Sequence, residues 1–159
     1  QLGPPEFTKE EKVYAKKYQD TLSRKDIESA YSHAGIDLVE GEVLAGSVVS
    51  GDAEPVDMGG STDVADVSWV VPTVSLWGAN YAIGTPFHSW QMTAQGKSSI
   101  AIKGMTHAAM VMAATGSDLM TKKHILDDAW REHNKITKKE GYMLPISLSA
   151  SPPIKDMTP

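Results

Sequence analysis

Apolar positions recur at helical spacing at both ends of the chain and lose that spacing in the middle. After the extended Gly3-Pro4-Pro5 comes a capping box, Thr8-Lys9-Glu10-Glu11. There the threonine hydroxyl accepts an orphan backbone N–H and Glu11 reaches back to the cap. Tyr14, Tyr18 and Leu22 then recur every four residues with Val13 beside them, which predicts an amphipathic helix over 9–22. Ser23 is placed to cap a shorter second helix carrying Ile27, Ala30 and Tyr31, with Gly35 ending it. Residues 36–58 keep no period and are punctuated by Gly41, Gly46, Gly51 and Pro55. They read as loop, with at most a short strand around 43–49.

The pattern sharpens again at Ser61. Ser61 or Thr62 caps a short helix running through Trp69, with Asp63 and Asp66 near its positive end, and Pro72 stops it. Thr73 to Ile83 is rich in β-formers, with Val74 and Leu76 on one face, and predicts a strand. Gly78 inside it marks a bulge or a close backbone approach. A loop over 84–97 carries His88 and Trp90. The longest helix starts at Ser98 or Ser99 and runs to about 120, with Ala101, Met105, Ala108, Ala109 and Met112 as a stripe suited to lying close on a sheet. A last helix, roughly 122–139, places Ile125, Leu126, Ala129, Trp130, His133 and Ile136 on one face before Gly141. The Pro-rich end is an extended or disordered tail over 148–159. No internal repeat or domain boundary is legible. The element order gives an α/β class that is short of strands. One or two strands do not make a stable sheet, so the expectation is part of a larger domain, or pairing with another chain.

Composition narrows the partners. The 159 residues, 41% apolar and 22% charged, suit one soluble globular domain with a real core. A net charge of −5 argues against a nucleic-acid or anionic-membrane surface, which needs a basic stripe. No apolar run reaches the roughly 20 residues of a membrane span. The absence of cysteine excludes disulfides and thiolate metal sites and fits a reducing, cytoplasmic setting.

The stretch Gly59–Gln95 holds most of the candidate chemistry. It opens on a glycine pair and an acidic turn, Gly59-Gly60-Ser61-Thr62-Asp63, and closes on Gly84-Thr85-Pro86-Phe87-His88. Pro86 restricts Thr85, and Phe87 and Trp90 give His88 apolar surroundings, so its imidazole is held in one orientation. A neutral imidazole so held is a ligand for zinc or manganese, although a packed structural histidine has the same signature. His33, His107, His124 and His133 lie on predicted helices without a ligand pattern and read as surface or core residues. Asp52, Glu54 and Asp57 lack the alternation of a calcium loop. There is no HExxH motif, phosphate-binding glycine loop or nucleophile elbow.

Taken together, GGSTDVADVSWVVPT, GTPFHSWQ and SSIAIKGMTHAAMVMAAT resemble the dinuclear metallopeptidase and amidohydrolase family that includes aminoacylases and glutamate carboxypeptidases. The likeness covers roughly residues 3–147 and is most specific over 59–116. It implies a zinc-peptidase-like three-layer α/β/α catalytic domain. Residues 1–147 would be the C-terminal segment of that domain, with the inserted lid domain absent. It also implies two divalent metal ions, zinc or manganese, and hydrolysis of aminobenzoyl-glutamate or related N-acyl amino acids. His88 matches the family's C-terminal metal-ligand histidine. Gly60, Ser61, Thr62 and Asp63 match the segment that lines the substrate end of the cleft.

The family's other metal ligands and its glutamate base have no counterpart in these residues. The chain alone is therefore expected neither to retain two metals nor to hydrolyse amides, since catalytic zinc takes three protein ligands. Its expected partners are an N-acyl glutamate-like small molecule, the missing N-terminal half of the catalytic domain and further subunits of a homo- or hetero-oligomer. The rival reading is a non-catalytic α/β interaction module that pairs through an exposed sheet edge.

Overall fold

The computed structural model describes residues 2–49, 62–144 and 146–154. Among these it forms six helices and no strand: α1 Lys9–Gln19, α2 Arg24–Ala34, α3 Val64–Val70, α4 Trp90–Gln95, α5 Ser99–Thr121 and α6 Lys123–Glu140. The expected α/β class, and with it the three-layer α/β/α arrangement, is overturned. Thr73–Ile83, read as a strand from its β-formers, runs without regular structure. A strand exists through its ladder to a neighbour, and side-chain preference does not supply one. Here the N–H of Ile83 donates to the carbonyl of Val43 at 2.9 Å, a single link between the two segments expected to be strands. The rival module loses its basis as well, because no sheet edge exists among the described residues.

The chain divides into two compact units, Gln1–Ser61 with Val74–Lys122 and Thr62–Thr73 with Lys123–Pro159. In the first, α1 begins on the capping box read from the sequence: Glu11 N–H donates to Thr8 Oγ1 at 3.2 Å and Thr8 N–H to Glu11 Oε2 at 2.8 Å. The helix ends at Gln19, a turn before Leu22, so the apolar period overran it. Ser23 caps α2, and Gly35 ends it in the left-handed region at φ 66°. The core gathers Ala15 of α1, Val43 and Leu44, Ala82, and Ile100 of α5, with Phe7, Tyr14 and Tyr18 packed against it. Glu11 is buried beside it and accepts from Lys103 Nζ at 2.8 Å, tying α1 to α5.

The residues of α5 that turn inward are Ile100 and Gly104. A Cβ at Gly104 would overlap Asn80 Oδ1 and come within 2.5 Å of the Ala79 carbonyl oxygen. The close approach foreseen for this helix therefore exists, but against the irregular segment 78–80 and not a sheet. Met105 and Met112, expected on the packed stripe, are exposed instead. The contact at Gly104 fixes which side of the helix faces the core, and those methionines lie away from it.

In the second unit, His133 of α6 bonds through Nε2 to the carbonyl of Ser68 in α3 at 3.1 Å, and the His133 ring meets Trp130 edge-on at 5.4 Å. Tyr142 donates to Asp66 Oδ1 at 3.0 Å and rests against Trp69, with ring centroids 5.9 Å apart. That bond to Asp66 raises the Tyr142 phenol above its ordinary range. The sequence placed α6 at 122–139; it spans Lys123–Glu140 and closes on Gly141 at φ 72°.

Candidate functional site

The loop that carries His88 is fixed from below by buried polar groups. Gln95, the last residue of α4, is fully buried. Its Oε1 accepts from the Ala82 N–H at 2.9 Å, and its Nε2 donates to Thr85 Oγ1 at 3.2 Å and to the Gln91 carbonyl at 3.1 Å. Thr85 closes a turn on Ala82, donating to its carbonyl through N–H at 3.1 Å and through Oγ1 at 2.6 Å. A buried amide whose oxygen and nitrogen are both bonded specifies one geometry, since each unmade bond there costs about 1–3 kcal/mol. Gly84 sits at φ 89°, and a Cβ on it would come 3.0 Å from the Cα of Ile27, so α2 braces the loop from its other side. Ser89 completes the loop by donating to the Pro86 carbonyl at 2.7 Å and accepting from Met92 N–H at 3.2 Å as the cap of α4.

His88 stands at the top of this support. Its φ is 58°, and it is the non-glycine residue with positive φ among those described. The left-handed region disfavours a side chain by roughly 1–2 kcal/mol and holds histidine more readily than most. The imidazole is exposed to solvent and is not sunk in packed hydrocarbon. Phe87, adjacent in the chain, pairs with Trp77 at a centroid distance of 5.7 Å and an interplanar angle of 59°. Trp90 leans instead on Tyr18 at 6.2 Å.

Gly60 and Ser61 lie outside the described residues, as do Asp52, Glu54 and Asp57. Thr62 and Asp63 are exposed at the start of α3, in the other compact unit. Thr62 Oγ1 accepts from Val64 N–H at 3.3 Å, while Asp63 occupies the cap position without a side-chain capping bond. His107 Nε2 lies 2.6 Å from the Gly3 carbonyl, which fits its expected helix-surface role. Among the described residues no three histidine, cysteine, aspartate or glutamate side chains are grouped to hold a metal ion. His88 thus offers one donor, and the described donor set does not by itself fit a metal pair.

An open concavity of about 460 Å³ is lined by Glu10, Glu11, Tyr14, Ala94, Lys97, Ser98 and Ser99, and it excludes His88. Of its charged groups, Glu11 is already engaged internally. Lys103, and then Ser99 and the Thr8 backbone, hydrogen-bond Glu11 and bring its carboxyl down to about 2. No described helix is long and apolar enough to cross a membrane.

Comparison with known proteins places the chain beside part of a hydrolase. The relative is a subunit of p-aminobenzoyl-glutamate hydrolase from Escherichia coli (strain K12), 36% identical over 167 aligned positions that take in 97% of this chain and 34% of that protein. The resemblance read from the sequence motifs is borne out as a likeness to part of an aminobenzoyl-glutamate hydrolase, and the chain spans about a third of the length of that relative. No family model matches the chain, and no solved structure matches it.

Sequence reasoning singled out His88 but missed what supports its loop. The serine at position 89 ahead of Trp-Gln-Met was an available cap signal for α4. Nothing local distinguishes Gln95 from a surface glutamine.

Proposed function

We propose that this chain supplies part of a metal-dependent amidohydrolase that cleaves the amide bond of aminobenzoyl-glutamate or related N-acyl amino acids. The observation that carries the reading is the 36% identity extending over 97% of the chain to a hydrolase whose name states that substrate. In this reading His88 gives one imidazole to a site for two divalent ions, zinc or manganese, completed by donors outside the described residues. The turn Gly60-Ser61-Thr62-Asp63 faces the substrate. Partner segments or subunits complete the enzyme, which works in the cytoplasm. The rigid backing of the His88 loop supports the assignment: a ligand or substrate-facing group must be held within a fraction of an ångström to be useful.

The test uses the protein as its gene encodes it, assayed for release of p-aminobenzoate from p-aminobenzoyl-glutamate. Expected are turnover that a chelator abolishes and zinc or manganese restores, and a loss of at least a hundredfold in His88→Asn. Absence of turnover, or turnover indifferent to the chelator and to His88→Asn, overturns the reading. The isolated 159-residue polypeptide is expected to bind less than one equivalent of tightly held metal by elemental analysis and to show no turnover.

A further inference from the structure

Two aromatic rings, one on the His88 loop and one paired with it, have no part in the core. Trp77 is 65% exposed and Phe87 50% exposed, while the backbone next to each makes close contacts. Trp77 precedes Gly78, where a Cβ would come 3.0 Å from Asn80 Oδ1, and the segment is seated on α5 at Gly104. Phe87 follows the Thr85 turn that Gln95 clamps. The rings stand 5.7 Å apart and tilted by 59°, forming an open corner and not a closed stack. Such a corner offers a flat aromatic guest one face to stack on and one edge to meet, the two arrangements aromatic pairs prefer. Rings held in place beforehand surrender little freedom on binding, which strengthens the complex.

We infer that the Trp77–Phe87 corner receives the aromatic acyl group of the substrate and makes the enzyme prefer aromatic over aliphatic N-acyl glutamates. The inference rests on the amidohydrolase reading above and adds to it the side chains that choose the acyl group. Phe87 is the chain neighbour of His88, the residue assigned to the reacting end, so the corner and that residue share one loop. The Trp90–Tyr18 pair does not serve the same purpose, because Tyr18 packs against the core.

The test compares kcat/KM for p-aminobenzoyl-glutamate and for N-acetyl-glutamate in the protein as encoded, with Trp77→Leu, Trp77→Phe and Phe87→Leu. The wild type is expected to prefer the aromatic substrate by about tenfold or more. Trp77→Leu should collapse that preference mainly through KM for the aromatic substrate. Trp77→Phe should keep most of it, and Phe87→Leu should weaken it while leaving the fold intact by circular dichroism. Turnover of both substrates without a preference, or a preference that survives both leucine variants, overturns the corner and leaves the amidohydrolase reading standing. Unchanged selectivity together with an altered oligomeric state in Trp77→Leu overturns it too, and marks the pair as a protein contact. Failure of the wild type to act on either substrate removes the amidohydrolase reading and the corner with it.

Discussion

His88 holds a left-handed backbone conformation at φ 58° where glycine would rest without strain. In the site proposed above, a residue kept there against its own preference would separate stability from function. His88→Gly should leave thermal stability unchanged or raise it by up to about 1 kcal/mol while abolishing the activity proposed above. His88→Ala keeps the strain and should be the less stable of the two. Calorimetry on the pair checks this; a clear loss of stability in the glycine variant would show that the imidazole is a packing element. The sequence marked the loop as constrained through Pro86, but the apolar surroundings expected from Phe87 and Trp90 are not those of the imidazole, which is exposed while the two rings pair with Trp77 and Tyr18. The positive φ of His88 was not legible, since histidine does not advertise that conformation as glycine does.

At the scale of elements, the link between α1 and α5 has a definite pH dependence. Glu11 is buried, bonded by Lys103 Nζ at 2.8 Å, and its carboxyl is held at about 2, below an ordinary carboxylate. A folded value below the unfolded one means the stabilisation is complete above the unfolded range, near 4.3. It fades as pH falls from there toward 2. Wild type should therefore lose stability over that window, and Glu11→Gln should lose less of its own there, starting from a stability lower by about 2 kcal/mol at pH 7. Denaturant titrations from pH 7 to pH 2.5 read this; parallel curves for the two proteins would remove the Glu11–Lys103 pair as the cause.

The same elements show why some of the fold was readable and some not. α1, α2 and α5 begin on serine or threonine caps, and a cap with an apolar period is information local to a dozen residues. The segment Thr73–Ile83 has the side chains of a strand, but strand formation is decided by a partner elsewhere in the chain. α4 is only six residues long and too short to show a period. Gln95 is a polar residue in a place where pattern reading expects exposure, and only tertiary structure reveals that three bonds use it.

For the whole molecule, the balance of buried and exposed apolar groups decides how the isolated chain behaves. The core cluster of the described residues consists of Ala15, Val43, Leu44, Ala82 and Ile100, two of them alanines. Against this, α5 carries Ile102, Met105, Ala109, Met112 and Met120 along one side, with Met105 62% and Met112 66% exposed. Spacings of three, four and eight put these residues on a single face, opposite Ile100 and Gly104. A continuous apolar stripe of that length is unusual on a free surface and is the kind of face that other protein covers. At tens of micromolar the 159-residue polypeptide should therefore self-associate by sedimentation velocity and bind a hydrophobic dye. Met105→Glu with Met112→Glu should shift it to monomer and reduce dye binding without loss of helix, because neither side chain reaches the core. A wild-type chain that stays monomeric at that concentration and leaves the dye unbound would mean the α5 face needs no cover, and the thin core alone would then have to account for the fold.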